Sequence, residues 1–370
     1  MVYRVMGLMS GSSLDGLDLV FAEITENSGA WGFEIVAADC YSYEREWKEK
    51  LQNAVSLPAL DYQLLHVAYG QYLGRAVNRF IEEKGLQYKV AFIASHGHTT
   101  FHVPGKKMTA QLGDGGAIAA ETGLPVVSDL RALDVAFGGQ GAPIVPIGEK
   151  LLLGEYDLFL NLGGIANISF NDPDNYIAFD VCPANRILDL IAIDMGTAYD
   201  AGGALAATGQ VDYELLKTLG ALEYYGQPHP KSLANSFGTD VVYPLLKSYN
   251  LKPKDALCTY VAHIVEQIKK AIENSTWLAK REDKPAAKSK LLATGGGAFN
   301  AFLIAELQAA LSPLSIDVVV PHATLVNYKE ALIMALIGVL RWRQENTVLP
   351  SVTGATRSSI GGALWIGQEA

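Results

Sequence analysis

Four stretches of this sequence carry residues able to do chemistry at short spacing. The first is Gly7-Leu8-Met9-Ser10-Gly11-Ser12-Ser13-Leu14-Asp15-Gly16-Leu17-Asp18. Residues 10–13 offer consecutive backbone N–H groups and three hydroxyls, and Gly7 and Gly11 remove side-chain bulk. Such a turn can wrap phosphate oxygens as an anion-binding nest. Asp15 and Asp18 can hold a magnesium ion, directly or through water. A plain hairpin turn with Asp15 as a local cap accounts for the same residues. The second stretch, Asn161-Leu162-Gly163-Gly164-Ile165-Ala166-Asn167, places two glycines where a backbone can approach a ligand closely. The third, Ala293-Thr294-Gly295-Gly296-Gly297-Ala298-Phe299-Asn300, puts three glycines between a strand and a helix. A flat ring or a ribose can lie against such a backbone. It is not a dinucleotide fingerprint, and no Walker A pattern occurs in the chain.

The fourth is Asp180, which precedes Val181-Cys182-Pro183-Ala184-Asn185. A strand ending at Asp180, with Pro183 opening a helix, would set this carboxylate at a strand end, a good place for a general base. The alternative is a helix-capping Asp. Further polar groups surround these stretches. His96-Gly97-His98, with His102 close by, suits contact with a hydroxylated ligand. It is also a spacing seen at metal sites, although the other four histidines lie in segments without a paired carboxylate motif. Arg131 can fork onto a substrate carboxylate or pair internally with Asp134. The run Gly138-Gly139-Gln140-Gly141-Ala142-Pro143 suggests a hinge. His229-Pro230-Lys231-Ser232 and Glu330 are two more polar islands.

Secondary structure must position these groups. Residues 2–6 and 17–24 read as strands around the first turn. Apolar residues at helical spacing across 61–83 predict a long amphipathic helix. Residues 90–94 form a strand that delivers the polar segment 95–102; a glycine-rich turn into a helix follows at 113–123, and another strand at 125–128. The pattern then returns, with strands at 157–162, 165–170 and 176–179. A strand, glycine turn, strand hairpin therefore opens each half, a sign of structural duplication. Helices follow at 187–193, 213–219 and 255–274, then a strand at 291–294, a helix from about Asn300, a strand at 318–320 and a mostly apolar helix at 329–343. Alternating strands and helices make an α/β protein.

Bulk composition limits the partners. At 370 residues the chain is long for a single core, so two lobes are expected. Hydrophobic residues make up 49% and charged residues 18%, enough to bury a core. A net charge of −10 with no basic run argues against a nucleic-acid partner. Residues 280–290 mix charge signs and read as a solvated loop. Three cysteines without metal-type spacing suit a reducing compartment. The start lacks a signal-peptide pattern, and the longest apolar run, 331–340, is about half a bilayer span. The expectation is a cytoplasmic protein with no membrane partner.

In order, residues 7–18, 95–98, 111–116, 129–146, 161–169, 180–189, 228–232, 294–300 and 330–340 resemble the anhydro-N-acetylmuramic acid kinase family. That family lies within the actin/hexokinase/Hsp70 ATPase superfamily, and the resemblance covers essentially the whole chain. It implies two ribonuclease-H-like (actin/hexokinase-type) lobes with the active site in the interlobe cleft. The expected lobes are 1–135, with 357–370 as a possible addition, and 136–356. ATP and Mg2+ are implied, with Gly11, Ser12, Ser13 and Asp15 at the first phosphate hairpin and Gly163, Gly164 and Asn167 at the second. Gly295, Gly296 and Gly297 would lie along the adenosine. Asp180 matches the catalytic aspartate, and His98, Arg131, Glu330 and Asn185 match positions near the sugar. Asp15 and Asp18 would take the magnesium.

The implied reaction opens the 1,6-anhydro bridge of anhydro-N-acetylmuramic acid and phosphorylates O6, a step of cell-wall recycling; a homodimer is expected. A kinase for another sugar and a non-catalytic ATP- or sugar-binding sensor are the alternatives. The family's Asp-Thr-Gly-Pro-Gly-Asn stands here as Asp180-Val181-Cys182-Pro183-Ala184-Asn185. Bulkier Cys182 and Ala184 are expected to narrow that turn. Phe101-His102 also departs from the pattern after Gly-His-Thr.

Overall fold

The first glycine turn is the tip of an antiparallel hairpin, Val2–Ser10 (β1) and Gly16–Asn27 (β2), in which Ser10 faces Leu17. In the computed structural model, residues 1–11, 13–172, 176–229, 231–234, 236–281 and 288–367 are described. Ser12 and Pro230, both singled out above, lie outside them, as does part of the 280–290 loop. The chain divides into two units, Met1–Leu153 with Tyr328–Ala370, and Gly154–Asn327.

In the first unit, Ala30–Ser42 (β3) pairs antiparallel with β2, and Phe92–Val103 (β4) pairs parallel with β1. Met108–Leu112 (β5) folds back on β4, and Val126–Ser128 (β6) lies parallel to it. Ala363–Trp365 (β12) closes the edge beyond β6. Sequence pattern misses β3 because it is an edge strand with no fully buried residue, so no two-residue hydrophobic period is imposed on it. Sequence pattern also ends β4 too early: His96 and His98 lie within the strand, not beyond it. The Ala59–Glu83 helix packs Tyr69, Leu73, Val77 and Phe80 into a core with Met6, Leu8, Leu19 and Ile93.

The Ala323–Trp342 helix enters this unit at Tyr328 and presses on β1. A Cβ added at Gly7 would stand 1.9 Å from the Ala331 carbonyl oxygen, so only glycine permits this approach. Ala331 through Ile337 are wholly buried, which explains a helix apolar on every side. By length and composition this helix could cross a bilayer, unlike the ten-residue run counted above; it is a buried core element here.

In the second unit, Leu158–Leu162 (β7), Ile165–Phe170 (β8) and Ile177–Pro183 (β9) form an antiparallel meander. Ser289–Thr294 (β10) and Ile316–Val319 (β11) continue it in parallel. Its order, β9-β8-β7-β10-β11, repeats the first unit's β3-β2-β1-β4-β6. Three antiparallel strands followed by two parallel ones, twice over, are the ribonuclease-H-like pattern of a two-lobed α/β protein.

The division differs from the expected 1–135 and 136–356. Residues 136–153 and 328–356 belong with the first unit because polar ties hold them there. Asp134 accepts hydrogen bonds from Thr353 Oγ1 and Gly141 N, both at 2.8 Å, and Lys329 donates to Glu149 at 2.8 Å.

Candidate active site

Beyond β1 the chain turns through Gly11 and Ser13, with Leu14 N donating to Gly11 O and Leu14 in the left-handed region at φ 58°. Ser13 and Asp15 are exposed, whereas Asp18 lies half-buried in β2 opposite Cys40. Ser10 is not part of the open turn. It is buried at the end of β1, where Tyr43 OH donates to its Oγ at 2.8 Å, and the same Oγ lies 3.1 Å from His98 Nδ1. Tyr69 OH meets Tyr43 OH at 2.6 Å. The Ser10 hydroxyl thus links Tyr43 to His98 Nδ1 and fixes the orientation of the imidazole. Burial lowers the His98 pKa and favours the neutral ring.

His96 is set in the same way. Arg131 Nε donates to its Nε2 at 2.7 Å, and its Nδ1 lies 2.8 Å from Gly97 O. Burial, reinforced by Arg131, drives its pKa down to about 3. The His96 imidazole thus spends its Nε2 lone pair on Arg131, which opposes the metal reading of His-x-His. Among the described residues no three His, Cys, Asp or Glu side chains group as a metal cage. Arg131 does not pair with Asp134 directly: its Nη1 donates to Gly141 O, and Asp134 accepts from Gly141 N. Burial lowers the Arg131 pKa to about 10 against the opposing influence of Glu330 and Asp134.

Asp18 carries a raised pKa of about 6, from burial first and then from the nearby Glu330 and Asp15 carboxylates, offset in part by a bond to Cys40. A folded-state value above the unfolded one means the ionised form costs stability above about pH 6, and the cost vanishes below the ordinary carboxylate range. Asp18→Asn should therefore stabilise the ligand-free protein at pH 8 by about 1–2 kcal/mol, a value discounted for partial exposure. Urea denaturation at pH 8 and pH 4 checks this. An equal gain at both pH values would show that the carboxylate charge is not the cause.

In the second unit the Gly163-Gly164 tip meets the other predicted glycines. A Cβ at Gly295, where φ is 80°, would stand 2.5 Å from Asn161 Oδ1, and one at Gly297 would lie 2.7 Å from Leu162 Cβ. Asn185 joins them, its Nδ2 donating to Leu162 O at 2.9 Å and its backbone N to Gly163 O at 3.1 Å. Asn167 faces Asn161 across β8 and Asp180 across β9. Gly163, Gly164, Asn167, Asn185 and Gly295 to Gly297 are thus neighbours.

Asp180 sits inside β9, three residues before its end, at a register shift opposite Ala166 and Asn167. The strand does not stop at Asp180, and Pro183 is its last residue, since the next helix, Asn185–Ile193, begins only after Ala184. Asp180 keeps the alternation of the strand, on the same less buried face as Ala178, and Val181 after it is the extra residue. Its Oδ2 accepts from Leu233 N at 2.8 Å, its N donates to Lys231 O at 3.3 Å, and Tyr224 OH donates to its carbonyl at 2.6 Å. Burial raises its pKa despite the Leu233 bond. The island at 229–232 is therefore a neighbour of Asp180: His229 stacks on Phe179 at 5.6 Å, and Lys231 Nζ lies 4.6 Å above the Tyr224 ring. Cys182 and Ala184 do not narrow a turn; both are wholly buried in the hydrophobic core.

Sequence reading misses Tyr43, Tyr69, Leu233 and the Lys329–Glu149 pair. Only Lys329, one charge at the head of an apolar run, carries a local signal.

The family model described as anhydro-N-acetylmuramic acid kinase matches residues 3–367. An anhydro-N-acetylmuramic acid kinase from Hydrogenovibrio crunogenus is 33% identical over 97% of this chain and 97% of its own length. One from Gloeobacter violaceus is 32% identical over 95% and 96%. Among solved structures the likeness is looser, as with the activator of 2-hydroxyisocaproyl-CoA dehydratase from Clostridium difficile with bound ADPNP. It has a TM-score of 0.46 at 15% identity, covering 93% of this chain and 96% of that one. On a family match spanning nearly every residue, this chain belongs to the anhydro-N-acetylmuramic acid kinase family.

Proposed function

We propose that the chain is an ATP-dependent phosphotransferase that opens 1,6-anhydro-N-acetylmuramic acid with water and phosphorylates O6, giving N-acetylmuramic acid 6-phosphate. The observation that carries this reading is the Asp180 carboxylate. It is half-buried, raised in basicity, and held by Leu233 N while its backbone is tied to Tyr224 and Lys231. A carboxylate so held has one oxygen fixed and, among the described residues, the other open to take a proton.

In the proposed reaction Asp180 takes a proton from water as the water oxygen bonds to the anomeric carbon. The bond from that carbon to O6 breaks, and the electron pair moves to O6. O6 then attacks the γ-phosphorus and ADP departs, so O6 needs no base of its own. Gly11, Ser12, Ser13 and Asp15 are assigned to one phosphate turn, and Gly163, Gly164 and Asn167 to the other. Gly295, Gly296 and Gly297 are assigned to the adenosine. His98, Arg131, Glu330 and Asn185 are assigned to the sugar.

Magnesium fits Asp15 and Asp18. Asp18 holds its proton up to about pH 6 beside two other carboxylates, a crowding that a divalent cation relieves. Magnesium commonly uses one or two carboxylates with substrate phosphates and waters, and so needs no three-residue cage. When bound it would neutralise charge on the phosphates. A cytoplasmic homodimer without membrane or nucleic-acid partners completes the reading.

The test is incubation with ATP, magnesium and 1,6-anhydro-N-acetylmuramic acid, followed by mass spectrometry. The expected product has gained both one water and one phosphoryl group. Phosphorylation of N-acetylmuramic acid alone, with the anhydro sugar untouched, would replace this substrate by another sugar.

A further inference from the structure

Around the Gly163-Gly164 tip, several hydrogen-bond donors are left unmatched. The two carbonyls are used inward, Gly164 O accepting from Ala184 N at 2.8 Å and Gly163 O from Asn185 N at 3.1 Å. The N–H groups of Gly163 and Gly164 make no hydrogen bond to the described residues. The outer side of the tip is bare: a side chain built at Gly164 would meet only Arg186, its Cβ and Nε each at 3.8 Å. Arg186 is the second residue of the Asn185–Ile193 helix.

Its Nε is shielded from solvent and has no hydrogen-bond partner, and among the described residues no carboxylate pairs with it. A guanidinium donor removed from water without an acceptor is costly. A planar fork beside two backbone N–H groups without a partner among the described residues matches a phosphate.

We propose that Arg186 is a phosphate-binding residue, its guanidinium joining the Gly163 and Gly164 N–H groups to hold the polyphosphate tail of the nucleotide. This deepens the kinase reading and rests on it for the identity of the ligand. Arg186 was not among the residues the sequence motifs brought forward, because it lies between the Asn185 of the Asp180 motif and an ordinary apolar helix face.

The experiment is calorimetric titration of the full chain and its R186M and R186K variants with ATP, adenosine and inorganic tripolyphosphate. R186M should bind ATP and tripolyphosphate about 10- to 100-fold more weakly, while adenosine affinity stays at the wild-type value. R186K, which keeps the charge but not the fork, should fall between. Equal weakening of ATP and adenosine would assign Arg186 a purely structural role and overturn the proposal, as would unchanged ATP affinity in R186M. If wild-type protein binds tripolyphosphate in an Arg186-dependent way but not ATP, the anion site stands and the ATP reading falls. If it binds neither, both fall.

Discussion

Asp180→Asn will lower kcat for the anhydro sugar by about 10²–10⁴-fold, the range that a positioned proton acceptor contributes. The substitution is isosteric, and its amide oxygen can still accept from Leu233 N, so the strand bulge is preserved. Folding should not suffer. Burial raises the Asp180 pKa, so its charge is a cost to the folded state near neutral pH, and the asparagine variant should melt no lower than the wild type. A drop in rate without a drop in Tm separates chemistry from stability. The pH profile adds a second readout. A base must be deprotonated to act, so the acid limb of kcat/KM should lie above the ordinary aspartate range of about 4, and it should be absent from the residual activity of the variant. A variant with wild-type turnover would remove Asp180 from the mechanism.

The largest effect on stability is expected at Lys329, whose ammonium lies 2.8 Å from Glu149 with both side chains 4% exposed. Lys329→Met removes the buried ammonium that pairs with Glu149 at 2.8 Å, a loss of up to about 3–5 kcal/mol. Urea denaturation should show it as a lower midpoint. Adding Glu149→Gln should recover part of the loss, because the buried carboxylate charge that Lys329 balanced disappears with it. A single variant as stable as the wild type would mean that the Lys329 charge contributes nothing net to the fold. Lys329 precedes Glu330 on the same helix, so the single variant should also raise KM for the sugar if Glu330 contacts it.

The sequence made the turns and acids of this molecule legible. Glycines at 163, 164 and 295–297 and acids at 15, 18 and 180 stand out because packing alone does not call for those residue types. The contacts that position them are a different matter. Tyr43 follows an edge strand and Tyr69 sits mid-helix, 26 residues apart, yet they meet at Ser10. Nothing local marks them, because a tyrosine on the inner face of an amphipathic helix reads simply as core. The same holds for Leu233, which acts through its backbone, and for Glu149, whose partner is 180 residues away. The unit boundary was misplaced because glycine and proline density at 130–148 signals a loop but not the side to which the loop is tied. Asp134 settles that side through Thr353, 219 residues on.

The repeated strand order has an evolutionary consequence. Each sheet presents its first hairpin tip at the same place, and the freedom to vary there is far greater than one strand inward. A Cβ at Gly11 or Gly163 would have no neighbour closer than 3.5 Å, whereas at Gly7 the Ala331 carbonyl forbids any side chain. The tips can therefore differ while the strands beneath them stay alike. One tip is rich in serine and aspartate and the other in bare glycine. New members with other acceptor sugars or metal preferences should arise by exchange of these turns, and grafting one tip onto a relative's strands should transfer ligand behaviour without rebuilding the core.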